Sequence, residues 1–171
     1  MRSKKTAHRT RGYDARMRTP PRSELPEVLA FMQGLWAVVH RMERLSKQMG
    51  TRSGVTGPQR LVLRLVALFP GLSAGDLATM LHLHPSTLTG ILRRLDDQGL
   101  ISRTADPDDR RRTSMRLTSR GTRASTSTRA TVEGAVAAAL ARTSDAHRDI
   151  TRRFLEQLAS CLDHEVDRFE K

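Results

Sequence analysis

The stretch His84–Gly99, HPSTLTGILRRLDDQG, sets three hydroxyls, Ser86, Thr87 and Thr89, ahead of two guanidiniums, Arg93 and Arg94. Hydroxyls of this kind reach phosphates and base edges, and an arginine can bridge both acceptors of a guanine in a major groove. A second cluster, residues 105–112 (ADPDDRRR), sets three aspartates ahead of Arg110, Arg111 and Arg112. Asp109 and Arg111 are near enough in sequence to pair and order the loop. Arginine suits bidentate contacts and narrow grooves, the more so on a pre-ordered loop, and Arg110 or Arg112 is the candidate for such a contact. Arg103 is a further expected contact. Each cluster has a plainer reading, as the solvated face of an amphipathic helix and as a charged turn.

The elements that position these groups follow from periodicity. Pro85 suits a first helical position and Gly99 the left-handed residue that ends a helix. Leu88, Ile91, Leu92 and Leu95 recur three or four apart and form one buried stripe, leaving the hydroxyls and arginines on the other side. Upstream, Thr56-Gly-Pro-Gln59 has capping-box spacing and opens a helix whose Leu61, Val62, Leu65, Val66, Leu68 and Phe69 are apolar over a wide arc. Thr51 to Gly57 reads as the loop before it. Pro70-Gly71 ends that helix, and Ser73-x-x-Asp76 opens a short one with Leu77, Met80 and Leu81 inward. His82-Leu-His84 is a tight link, so the two helices flanking it form a helix-turn-helix. After Gly99 the period changes from 3.6 to 2, giving strands Leu100–Thr104 and Thr113–Leu117, with residues 105–112 as the hairpin tip.

The flanks are helical. Ser23 caps a long first helix with a seam of Leu25, Val28, Met32, Leu35, Val39, Met42 and Met49, widened by Leu29 and Trp36. Thr118 caps a helix to about Arg142, Ser/Thr-rich in its first half and Ala-rich in its second. A cap at Thr143 or Ser144 opens the last helix, with Leu155, Leu158, Leu162, Val166 and Phe169 in its seam and Ile150 and Phe154 above. The fold class is mainly α with a small β-hairpin wing: a winged helix-turn-helix flanked by N- and C-terminal dimerisation helices. The expected organisation is a flexible basic tail at 1–22, a dimerisation helix at 23–50, the DNA-binding region at 51–118, and helices at 119–171 returning to the dimerisation region.

Charge narrows the partner. The net charge of 171 residues is +12, which points to an anion. Residues 1–22 carry eight Lys/Arg and one Asp, or +7, while residues 144–171 carry five cations and seven acids, or −2. The anion-binding surface is therefore not at the C-terminal end. The single Cys161 excludes an intrachain disulfide framework and reads as a small buried hydrophobe. No run is long and apolar enough to span a membrane, and the basic N-terminus lacks the apolar stretch of a secretory signal. A cytoplasmic, nucleoid-associated protein without membrane contact is the expectation. There is no phosphate-binding glycine loop, no nucleophile elbow and no metal-ligand spacing, so no catalytic residue, cofactor or metal is assigned. His82 and His84, two apart in a turn, do not make a metal site even with His40, His147 and His164 considered.

From Thr56 to Gly121 the chain resembles the MarR family of winged-helix transcription regulators. The matching residues are Gln59, Leu63 and Leu65; Leu77-Ala78; Ser86-Thr-Leu-Thr89; Arg94-Leu95; Gly99-Leu100-Ile101 and Arg103; Asp106-Pro-x-Asp109-Arg110-Arg111; and Leu117-Thr118 with Gly121. The wing signature followed by Leu-Thr-x-x-Gly is the specific part. The resemblance implies a homodimer, the helix at 84–98 in the major groove of double-stranded DNA, the wing in the minor groove, and control by a small ligand between the DNA-binding and dimerisation parts. Two departures stand out. Gly90 occupies a position where the family often has a basic residue, and Arg93 one where an acid is common.

Residues and resemblance together lead to the expectation of a dimeric, sequence-specific repressor on a near-palindromic operator, with relief by a small ligand as the resemblance implies. Repression needs only promoter occupancy, whereas activation needs a further contact with polymerase. A small aromatic or anionic effector would suit Trp36, His40, Arg44 and Arg60, by ring stacking and charge neutralisation; the plainer reading of each is core packing or surface exposure. A nonspecific architectural DNA-binding protein is the alternative function. It needs the cations, and not Ser86–Thr89 with the Asp109-Arg110-Arg111 wing. A third reading, a protein-interaction module built on the outer helices, predicts no DNA affinity at physiological salt.

Overall fold

Capping residues and glycines set the element boundaries of the central region. The computed structural model describes residues 25–105 and 113–169. The tail at 1–22, Ser23, and the wing residues Asp109, Arg110, Arg111 and Arg112 lie outside the described residues. The elements are α1 (Glu27–Ser53), α2 (Gly57–Leu68), α3 (Ala74–Leu81), α4 (Pro85–Asp97), β1 (Ile101–Ala105), β2 (Thr113–Leu117), α5 (Ser119–Thr126), α6 (Val132–Leu140) and α7 (Asp145–Phe169). The fold is mainly helical with one small antiparallel hairpin among the described residues. The described residues divide into two units, one ending at His40 within α1 and the other beginning at Arg41.

In the second unit α1 ends in the left-handed Gly54 (φ 74°). The expected loop at 51–57 therefore shrinks to Gly54–Thr56, because the helix continues through Ser53. Thr56 N–H donates to Gln59 Oε1 at 2.8 Å, fixing the start of α2. Ser73 N–H donates to Asp76 Oδ2 at 2.9 Å while Asp76 N–H donates to Ser73 Oγ at 3.1 Å, the reciprocal pair that opens α3. His82 takes a left-handed conformation (φ 50°) and lets the chain turn within three residues into α4.

The core joins Val62, Leu63 and Val66 of α2, Leu77 of α3, Leu88, Leu92 and Leu95 of α4, and Leu100, Ile101 and Met115 of the hairpin. The apolar arc of α2 is narrower than its composition suggests. Leu61, Leu68 and Phe69 are half or more exposed, and Met80 of α3, expected inward, is 44 % exposed. Strands β1 and β2 pair antiparallel from Ile101 with Leu117 to Ala105 with Thr113. A third segment joins them, since Met115 N–H donates to Leu72 O at 3.0 Å and Gly71 N–H to Met115 O at 3.1 Å. Cys161 is exposed rather than buried, because α7 buries none of its residues.

The helix expected from Thr118 to Arg142 is broken at 127–131. Ser125 and Thr126 hydroxyls bond back to Thr122 O and Arg123 O, the competition with the helical ladder that makes Ser/Thr runs weak. Arg60 then closes the helix end. Its Nη1 donates to Ala124 O at 2.6 Å and its Nη2 to Ser125 O at 2.9 Å. The same guanidinium grips Glu133 in the first turn of α6, Nε to Oε2 at 2.7 Å and Nη2 to Oε1 at 3.1 Å. Thr131 restarts the helix by accepting from Gly134 N–H at 3.1 Å.

Two predictions follow from this packing. A Cβ on Gly121 would meet Leu100 O at 1.9 Å, whereas one on Gly90 meets nothing within 4 Å. Gly121→Ala should therefore lower stability by at least about 2 kcal/mol, and Gly90→Ala should raise it by up to about 1 kcal/mol; thermal melts of the two variants check the opposite signs. The Arg60 side chain is 6 % exposed and its Glu133 partner 29 %. Removing one member of a buried pair costs about 3–5 kcal/mol, and partial solvation of Glu133 brings the expected loss for Arg60→Leu to roughly 2–3 kcal/mol, read by urea denaturation.

Candidate nucleic-acid interface

Helix α4 separates its residues cleanly. Leu88, Leu92 and Leu95 are 1 %, 2 % and 0 % exposed, and Ser86, Thr87, Thr89, Arg93 and Arg94 are all exposed. The structure thus brings five of the expected contact residues onto one solvent-facing side, with Gly90 among them. Gln98 Nε2 donates to Gly54 O at 3.0 Å and ties the far end of the helix to the end of α1. Gly99 is left-handed (φ 63°), and Thr118 Oγ1 donates to its carbonyl at 2.7 Å. The helix is therefore held along its buried face and at its C-terminus, so its orientation is fixed before any ligand arrives.

The cations differ in how free they are. Arg93 faces Asp97 at 4.0 Å with both side chains over two-thirds exposed, a pairing that contributes little and yields readily to a phosphate. Arg94 has no ion pair among the described residues. Arg103 of β1 is held by Asp96 of α4 at 3.0 Å, both about 40 % exposed. This contact ties strand β1 to α4, so Arg103 braces the described strands of the hairpin as well as adding charge. Arg116 and Arg120 are also exposed beside the hairpin. Neither stands in a recognisable motif, although the strand alternation around buried Met115 turns Arg116 outward.

At the N-terminus of α4, the Ser86 N–H donates to His84 Nδ1 at 3.3 Å, and Ser86 Oγ lies 2.7 Å from the same nitrogen. Thr89 Oγ1 donates to Pro85 O at 2.8 Å.

The residues expected to hold an effector are dispersed in character. Trp36 is 64 % exposed and His40 is exposed, both in the first unit; Arg44 is exposed and Arg60 buried in the second. With its guanidinium bonded to Glu133 and two carbonyls, Arg60 is a structural cation, a role that a lone arginine in a helix sequence does not announce. Arg60 does line a cavity of about 760 Å³, together with Met49, Arg52, Val55, Arg123 and Arg129. Among the described residues no group of three His, Cys, Asp or Glu side chains is placed to hold a metal, and no helix is long and apolar enough to cross a membrane.

Comparison with known proteins agrees with this geometry. The MarR family model matches residues 55–113. The chain is 34 % identical over 107 residues to the HTH-type transcriptional repressor Rv2887 of Mycobacterium tuberculosis, covering 63 % of this chain and 77 % of that protein. The fold is similar to that of S. aureus MepR in its DNA complex, with a TM-score of 0.65, 22 % identity, and coverage of 81 % of this chain and 99 % of the other. It is also similar to a MepR-like protein complexed with pseudoligands, with a TM-score of 0.62, 25 % identity, and coverage of 80 % and 97 %. The chain belongs to the MarR family of winged-helix proteins and is a DNA-binding transcription regulator rather than an enzyme.

Proposed function

We propose that the protein is a homodimeric repressor that reads a near-palindromic operator, with α4 in the major groove and the wing in the minor groove. The observation that carries this reading is the exposed face of α4, where Ser86, Thr87, Thr89, Arg93 and Arg94 stand opposite three buried leucines. A helix locked on one side and lined with base-reading side chains on the other is the docking arrangement of helix-turn-helix proteins. The repressor sense is supported by the name of the mycobacterial relative.

Dimerisation is supported by the outer helices. The 25-residue α7 buries no side chain, and Ile150, Leu155, Leu162 and Val166 are each half or more exposed. Val28, Leu29 and Trp36 on α1 are likewise exposed. Apolar seams of that extent are surfaces that a partner covers, and two copies related by a two-fold axis place their reading helices about 10 bp apart. An effector reading is supported by the cavity beside Arg60. Met49 and Val55 offer an apolar wall and Arg52, Arg123 and Arg129 offer cations, a chemistry suited to a small organic anion. The wing residues Asp109, Arg110, Arg111 and Arg112 enter as proposed from sequence, Asp109 as the organiser and the arginines as contacts.

The test is selection of bound duplexes from a random DNA pool by the full chain at physiological salt. A recovered near-palindrome supports a sequence-reading dimer, and binding without a consensus supports the architectural alternative. On the recovered operator, Arg110→Ala should weaken binding by about 1–3 kcal/mol while sedimentation still reports a dimer. Unchanged affinity removes Arg110 from the wing contact. Affinity should also fall steeply with salt, because each neutralised phosphate releases counterion.

A further inference from the structure

The hydrogens of two hydroxyls on the reading face of α4 are already engaged within the protein. Ser86 N–H points at His84 Nδ1, which requires a lone pair on that nitrogen. The 2.7 Å contact between Ser86 Oγ and the same Nδ1 is then a bond in which the Ser86 hydroxyl donates. In that tautomer Ser86 Oγ, its hydrogen directed to Nδ1, offers only lone pairs to a ligand. One turn further along, Thr89 Oγ1 donates its only hydrogen to Pro85 O at 2.8 Å. Residues three apart on a helix are neighbours, roughly 5–6 Å between Cβ atoms. The exposed face therefore presents two acceptors side by side.

This polarity excludes most of what a DNA duplex offers. Phosphate oxygens and deoxyribose oxygens only accept, as do guanine N7 and O6 and thymine O4 in the major groove. The donors there are the exocyclic amines, N6 of adenine and N4 of cytosine. We propose that Ser86 and Thr89 act as a pair of acceptors that read exocyclic amines at two positions of each half-site, with His84 as the positioning residue that sets the polarity of Ser86. The proposal rests on α4 lying in the major groove. It deepens that reading by dividing labour along the helix: acceptors near its start select adenine or cytosine, and the donors Arg93 and Arg94 engage guanine or phosphate. Thr87, whose hydroxyl has no hydrogen bond among the described residues, stays outside the rule.

The test uses the full chain on its selected operator and on duplexes with single amines deleted, replacing adenine by purine or cytosine by 2-pyrimidinone. Wild-type protein should lose about three- to tenfold in affinity at one half-site position, with no such loss for Ser86→Ala. A second position should behave the same way for Thr89→Val. Comparing proteins on the same duplex cancels any weakening of the base pair. His84→Ala frees the Ser86 hydroxyl to donate, so its selected consensus should admit guanine or thymine at the Ser86 position alone. If each amine deletion costs the wild type and the variants equally, the acceptor pair is overturned while the major-groove reading survives. A His84→Ala consensus identical to wild type overturns the role of His84. Absence of any consensus overturns the acceptor pair together with the reading beneath it.

Discussion

The burial of one leucine stripe governs the rest of the molecule. Leu88, Leu92 and Leu95 pack with Leu63, Leu77 and Met115, all under 2 % exposed or close to it. Each fully buried leucine contributes on the order of 2 kcal/mol, so rotation of α4 about its axis is resisted by several such contacts at once. The opposite face is fixed by default. Five side chains with no role in the core stand where a groove can receive them, and the hairpin is braced against the same helix by Arg103 and Asp96. Close packing at Gly121 completes the arrangement, since only a residue without a Cβ lets α5 pass against Leu100 O.

The regular part of this region was legible in the sequence. Its periodicities switch cleanly from 3.6 to 2 at Gly99, its capping boxes lie at Thr56 and Ser73, and Gly71 and Gly99 mark the stops after α2 and α4. Those signals are local, and local hydrogen bonding decides element boundaries. The illegible parts depend on contacts far apart in the chain. Arg60 closes α5 and grips α6 from 64 to 73 residues away, so a helix that reads as continuous from Thr118 to Arg142 is broken. Leu61, Leu68, Phe69 and Met80 satisfy an apolar pattern and still remain at the surface, because periodicity gives a face and not the width of the neighbour that covers it.

The site divides the same way. Exposure of Ser86, Thr87, Thr89, Arg93 and Arg94 followed from the stripe opposite them. The committed state of Arg60 did not, since an arginine for an effector carboxylate and an arginine for an internal glutamate have the same letter. Nor did the hydrogen-bond polarity of Ser86, which needs the placement of His84 Nδ1. The Arg60–Glu133 link also joins two parts with different tasks. It spans from the winged-helix core to α6, which leads into the unburied α7. The adjoining cavity brings Arg52, Arg123 and Arg129 beside this link.

The central claim is that the face of α4 opposite the leucine stripe lies in a major groove. Dimethyl sulfate protection on the bound operator tests it most directly, because guanine N7 opens only into that groove. The account predicts guanine N7 protection in two clusters about 10 bp apart, weakened when Arg94 is replaced by Ala. Full N7 reactivity, with protection confined to adenine N3 in the minor groove, would contradict it.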